Sequence, residues 1–245
     1  WDSSPLVWPN FKEDFLKGIR AEYAGLKEGF ESKKLTKNYL PYLEARKNKV
    51  KIGWGDYVPV APAFLGTKVF DGFDLGELRQ YIDWKPFFIA WEMHGNFPDI
   101  LKDAKIGVEA TKLYNDANAL LDKIIAEKWL TAKGVIGFWE AASDGDEVEI
   151  KNQDSRVKLE FLRQQMQKST NQPNFSLADF IAPKEVKKQD FIGAFAVTLH
   201  GIEPHVKAFE AAHDDYNKIM LQALADRFAE AFAECLHEKV RRDFW

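Results

Sequence analysis

Residues 204–245, PHVKAFEAAHDDYNKIMLQALADRFAEAFAECLHEKVRRDFW, decide how the rest of the chain must be arranged. Apolar side chains fall at Phe209, Ala212, Tyr216, Ile219, Met220, Ala223, Leu224, Phe228, Ala231, Phe232, Cys235, Leu236 and Val240. Steps of three and four are the period of an amphipathic helix. Pro204 stands where a first helical turn tolerates proline, and Lys239, Arg241 and Arg242 stand near the end, where cations suit the helix dipole. With no later proline or glycine, the spacing predicts one helix from about residue 203 to 245. At about 1.5 Å per residue it would reach roughly 60 Å and cross the whole domain. Gln222, Asp226, Glu230, Glu234 and Glu238 form a column on its other face, which by spacing alone reads as solvated.

Working outward, a chain of 245 residues, 46% hydrophobic and 14% aromatic, has enough apolar material for one large domain or a domain with an extension. Its eight Trp and nineteen Phe exclude a disordered chain. The formal charge of -4 gives no reason to expect nucleic acid or acidic lipid as a partner. A single cysteine, Cys235, excludes an internal disulfide and a cysteine-cluster zinc site. Its place on the apolar side of the helix predicts a buried structural thiol, and the composition suits a reducing, cytoplasmic compartment. No apolar run is long enough to span a membrane and no signal peptide is visible. A start at Trp1 without methionine reads as a piece of something longer.

Upstream, residues 1–9 read as an extended lead-in, and Phe11, Phe15, Ile19, Tyr23, Leu26 and Phe30 predict a helix to about Lys33. The basic, poorly periodic stretch 33–52 reads as a solvated arm, which places a boundary between residues 1–52 and a domain of residues 53–245. Glycines and prolines make residues 53–70 irregular but packed, and Leu75, Leu78 and Ile82 have helical spacing. Pro86 argues against a simple helix in the aromatic run that follows. Residues 107–129 predict a helix with Val108, Leu113, Ala117, Leu120, Leu121, Ile124 and Ile125 on one side. VIGFWEAA and EVEIK flank an Asp-Gly turn at Asp144-Gly145, the signal of a hairpin. Leu159, Leu162 and Met166 suggest a helix over 157–168, and NFSLADFIAP and DFIGAFAVTLH suggest two strands, the second inside a sheet. Helices and strands come in blocks without βαβ alternation, so the class is α+β.

The motifs exclude more than they offer. There is no G-x-G-x-x-G after a strand, no phosphate-binding P-loop and no G-x-S-x-G elbow. His94, His200, His205, His213 and His237 show no metal-ligand spacing. Two stretches call for an explanation. In Tyr81-Ile-Asp-Trp-Lys-Pro-Phe-Phe, Asp83 stands among aromatics, where a carboxylate must find a hydrogen-bonding partner or a ligand, or else cap the turn before Pro86. In His213-Asp-Asp-Tyr-Asn-Lys, a polar cluster interrupts the amphipathic pattern. An exposed turn with local ion pairs is the preferred reading for Asp214 and Lys218.

YIDWKPFF, GVEATKLYNDANALLDKIIAEKWL, GVIGFWEA, LADFIAP, DFIGAFAVT and the stretch from His213 to Trp245 together resemble the activation domain of cobalamin-dependent methionine synthase. The resemblance runs in order from about Trp54, and residues 10–50 resemble the segment that joins this domain to the family's B12-binding domain. It implies a twisted, mainly antiparallel sheet packed with long helices. It also implies a monomeric module that binds S-adenosylmethionine and presents it for the reductive methylation of cob(II)alamin in methionine biosynthesis. The cobalamin (vitamin B12) would be held by a partner domain, and the electron would come from flavodoxin or a flavoprotein reductase.

Asp83 in YIDW and Glu230 in RFAEAF match the family's two S-adenosylmethionine carboxylates, and Asp226 matches a residue that faces the B12 domain. Carboxylates suit a ligand carrying a sulfonium and an ammonium. The resemblance implies a part of a methyltransferase that does not act alone: no general base, nucleophile or cobalamin motif of its own supports a self-sufficient enzyme. One departure stands out. The family's Arg-Pro-Ala-Pro-Gly-Tyr-Pro motif and a later tyrosine pair, which supply ligand contacts, do not occur in this sequence. A competing expectation is therefore an interaction module that docks the B12 domain or its reductase without holding the methyl donor.

Overall fold

A computed structural model describes residues 9–35, 38–152, 155–169 and 171–245. In chain order the elements are α1 (Pro9–Leu35), α2 (Tyr42–Lys47), β1 (Gly66–Phe73), α3 (Leu75–Leu78), α4 (Trp84–Ala90), α5 (Gly107–Ala126), β2 (Thr131–Asp144), β3 (Glu147–Asn152), β4 (Ser155–Glu160), β5 (Asp190–His200), α6 (Ile202–Ala211) and α7 (Asp215–Lys239). The fold is α+β. The sheet runs β1-β2-β3-β4, and β5 pairs with β2. β2 is the hub, antiparallel to β1 from Gly66↔Phe138 to Phe73↔Ala132 and to β5 from Thr131↔His200 to Ala141↔Asp190. Gly145, at φ 67, closes the expected hairpin between β2 and β3. The extended lead-in expected over residues 1–9 lies outside the described residues, except for the first residue of α1.

The chain divides into two compact units. One comprises residues 58–142, 149–157 and 187–245. Its core is built on α7, whose buried Met220, Leu224, Phe228, Ala231, Phe232, Cys235 and Leu236 follow the predicted apolar stripe; Leu221 is buried beside them, while Tyr216 and Ile219 of that stripe are exposed. From α5, Leu113, Ala117, Leu120, Leu121 and Ile124 enter the same core, as their spacing predicts, whereas Val108, in the first turn, is exposed. α7 approaches β2 closely at Gly134, where an added Cβ would lie 2.8 Å from Phe232 Cζ. Cys235 is 1% exposed, and burial, reinforced by the Glu77 carboxylate, pushes its thiol up to about 11. That is the inert structural thiol expected.

The other unit comprises residues 1–57, 143–148 and 158–186. Much of the expected arm is built into it. Ala45 of α2 is fully buried, the Leu40 amide donates to Gln165 O at 2.7 Å, and the Asn174 amide donates to Asn48 O at 2.9 Å. Arg163, its side chain fully buried, donates to both Asp146 and Asp179.

Several expectations give way to local chemistry. The single helix over 203–245 is two helices. His213 sits at φ 54, and Asp214 caps α7 by accepting from the Asn217 amide at 3.0 Å. Hydrogen bonds from the Asn217 side chain and amide hold the Asp214 carboxyl below the ordinary carboxylate range. An aspartate with this local alternative stops one helix and starts the next without any proline or glycine. Of the two residues expected to form ion pairs at the turn, Lys218 does so, 2.8 Å from Asp215, whereas Asp214 serves as the cap. Replacing Asp214 with alanine should lower the melting temperature by about 2–4 °C in a thermal scan followed by circular dichroism, because the α7 amide loses its acceptor.

The helix expected over 157–168 is instead β4 followed by irregular chain, with Leu162 95% exposed. Arg156-Val157-Lys158-Leu159-Glu160 alternates charged and apolar residues, a period of two, which a strand satisfies and a helix does not. NFSLADFIAP forms a short 3-10 turn at Leu177–Phe180, since Asp179 turns its carboxylate back to the Ser176 amide. The DFIGAFAVTLH strand is present as β5, but among the described residues it pairs with β2 alone, and Gly193 to Ala196 are exposed. β1 begins at Gly66, inside the stretch expected to be irregular. Pro86 is accommodated as the third residue of α4, within the first turn, where no intrahelical partner exists for its missing N–H.

Candidate functional site

The site elements lie along α7. The turn Arg79–Tyr81 and α4 both pack against this helix, and Asp83 stands between them. Tyr81 Oη donates to Glu238 Oε2 at 3.1 Å, and Cys235 Sγ donates to Glu77 Oε1 at 3.7 Å, which fastens the turn to α7. On its other side Arg79 donates to Asp122 and to Asn118 of α5. Ile82 is buried, and Trp84 packs edge-on against Tyr114 at a centroid distance of 4.7 Å. The YIDW segment is therefore clamped from both sides and by its own apolar residues.

Asp83 itself is exposed. It is the N-cap of α4, with Oδ1 accepting from the Lys85 amide at 2.9 Å. The aromatic surroundings suggested burial; instead Ile82, Phe87 and Phe88 turn inward while Asp83 stays at the surface, where its charge remains hydrated.

Asp226 and Glu230 are brought together, through a residue that sequence reasoning passed over. Arg227 is 9% exposed, and its Nη2 lies 2.7 Å from Asp226 Oδ2 and 3.9 Å from Glu230 Oε1. The two carboxylate side chains are 72% and 69% exposed. The signal was legible: Arg227 is a charged residue at a position between Leu224 and Phe228 in the apolar stripe, and a guanidinium placed there must carry its own counter-charges.

Two clefts open nearby. One, of about 620 Å³, is lined by apolar groups including Phe138, Phe195, Val240 and Trp245, with His237 and Arg241. The other, of about 420 Å³, is lined by Tyr81, Glu234, His237, Glu238, Arg241 and Arg242. Neither is lined by Asp83, Asp226 or Glu230. Among the described residues no group of three His, Cys, Asp or Glu is placed to hold a metal ion, and no helix is long and apolar enough to cross a membrane.

This frame is shared with known proteins. The family described as "Vitamin B12 dependent methionine synthase, activation domain" matches residues 74–245. The chain belongs to that family. A solved activation-domain structure, "Crystal Structure of the MetH Reactivation Domain bound to AdoHcy", is 46% identical with a TM-score of 0.78 over 84% of this chain. This chain spans 65% of that one. Asp83, Asp226, Arg227 and Glu230 all fall within the matched activation-domain residues, whereas α1 and α2 precede them.

Proposed function

We propose that this activation domain binds S-adenosylmethionine and presents it for the reductive methylation of cob(II)alamin held on the B12 domain of a methionine synthase. The observation that carries this reading is the likeness, at 46% identity, to a reactivation domain solved with AdoHcy. AdoHcy is what S-adenosylmethionine becomes once its methyl group has left. Asp83 and Glu230 supply the matching chemistry, two exposed carboxylates anchored on α4 and α7 for a ligand with two cationic groups. Bound S-adenosylmethionine would supply the methyl group, and a flavodoxin or flavoprotein reductase the electron.

The chain's own residues bind and orient. The cap that holds Asp83 and the clamp on the Arg79–Tyr81 turn fix one carboxylate, so little of its freedom is lost on binding, while α7 places the backbone of Glu230, whose exposed side chain orders as the ligand binds. In this reading the cobalamin is held by the B12 domain. Residues 1–52 serve in this reading as the arm toward it, and residues 53–245 as the domain proper, in the cytoplasm.

Calorimetric titration with S-adenosylmethionine tests the proposal, alongside Asp83→Asn and Glu230→Gln. Asparagine caps a helix about as well as aspartate, so Asp83→Asn removes charge while leaving α4 intact. Saturable binding, weakened about tenfold by each substitution, is the expected result, the loss of one charge-assisted contact. No heat up to millimolar ligand in the unaltered chain would overturn it. The second reading, an interaction module without the methyl donor, would then stand, and the absence of Asp83 and Glu230 from either cleft favours it.

A further inference from the structure

Arg227 has no role in the reading above, yet its guanidinium lies within 4 Å of both Asp226 and Glu230. We infer that Arg227 is a positioning residue that sorts them, committing Asp226 to itself and leaving Glu230 for the cationic group of the ligand. This rests on the reading that Glu230 receives S-adenosylmethionine.

The geometry is asymmetric. Asp226 Oδ2 lies 2.7 Å from Arg227 Nη2, a charge-assisted hydrogen bond, while Glu230 Oε1 lies 3.9 Å from the same nitrogen, beyond hydrogen-bond reach. Arg227 is held at a buried position of the helix with its guanidinium turned to these two side chains. One fixed cation facing two anions leaves one uncompensated negative charge, and the separations place it on Glu230.

A cationic ligand meets that charge without first displacing the guanidinium. Asp226 thereby influences the ligand without touching it. If Asp226 is neutralised, Arg227 loses its close partner and turns to Glu230, and the guanidinium and the ligand then compete for one carboxylate.

The test begins with Asp226→Asn, an exposed position that should fold normally. A crystal structure of this variant is expected to show Arg227 within about 3.2 Å of Glu230. Calorimetry with S-adenosylmethionine is expected to show affinity reduced about five- to tenfold, the competition of one charge-assisted contact. The same substitution in an Arg227→Gln background is expected to change affinity by less than about twofold, because no guanidinium remains to be redirected.

An equal loss in both backgrounds would mean that Asp226 meets the ligand itself, and would overturn the inference. An Arg227–Glu230 separation unchanged from 3.9 Å in Asp226→Asn would overturn it as well. If the unaltered chain binds no S-adenosylmethionine, the proposed function fails, while the crystallographic separation still decides whether Arg227 sorts the two carboxylates.

Discussion

Replacing Arg163 with alanine should destabilise the unit formed by residues 1–57, 143–148 and 158–186 by about 3–5 kcal/mol, seen as early loss of that unit in urea. The guanidinium donates from Nε and Nη2 to Asp146, from Nη1 to Asn174 O at 2.6 Å, and from Nη1 and Nη2 to Asp179 at 2.9 and 2.7 Å. The partner side chains are only 8% and 2% exposed. Truncation therefore leaves two buried carboxylates without their cation, and the cost is mainly that orphaned charge.

pH separates this account from simple loss of packing. Burial pushes the Asp146 carboxyl up, and hydrogen bonds from Arg163 and Tyr42 with the nearby Arg46 charge more than reverse it, holding Asp146 below the ordinary range. A depressed folded-state value adds stability above the unfolded value of about 3.9 and loses it as pH falls through the folded one. The gap between the unaltered chain and Arg163→Ala should thus be full at pH 7 and narrow below about pH 4. A gap that stays constant to pH 3 would assign the loss to packing. Urea titrations read by hydrogen exchange, resolving this unit, would measure both.

How far the sequence carries depends on the range of the interactions involved. The β2–β3 hairpin and α5 were legible because their signals are local: an Asp-Gly turn between alternating residues, and one face of α5 apolar at every turn. The α6–α7 break was half legible. The polar cluster was visible at His213-Asp-Asp-Tyr-Asn, but periodicity runs straight through it because α6 and α7 each keep an apolar face.

Within 157–168 the period-two run to Glu160 is a local signal, whereas the path after it is set at longer range. Arg163 is drawn to Asp146 and Asp179, seventeen and sixteen residues away in sequence, and no window of one or two turns contains those partners. Of the candidate site, family resemblance proposed Asp83, Asp226 and Glu230, while composition alone would have left the α7 carboxylates as a solvated face. Their coupling through Arg227 rests on the rotamer of a buried side chain. Spacing can flag such a residue but cannot say which carboxylate it takes.

Phe232→Ala is the second large effect, at about 3–5 kcal/mol of global stability in chemical denaturation. Phe232 is fully buried and meets Phe73 at a ring-centroid distance of 4.8 Å. Its Cζ also faces β2 at Gly134, so one ring fills the gap between the helix and two strands. Removing it leaves a cavity that rigid neighbours cannot close, which adds to the lost transfer free energy.

Gly134 tests whether that ring sets the helix–sheet distance. Gly134→Ala alone should be destabilising by about 1–3 kcal/mol, since the new Cβ would lie 2.8 Å from Phe232 Cζ and 3.4 Å from Leu236 Cδ2. In the Phe232→Ala background the same methyl enters the cavity, and its penalty should vanish or reverse. The two substitutions are then coupled, less damaging together than their sum. Strict additivity would mean that Gly134 is needed for its backbone and not for the ring. The spacing of α7 from the sheet would then be set elsewhere along the helix, with Phe228 the next buried ring to examine.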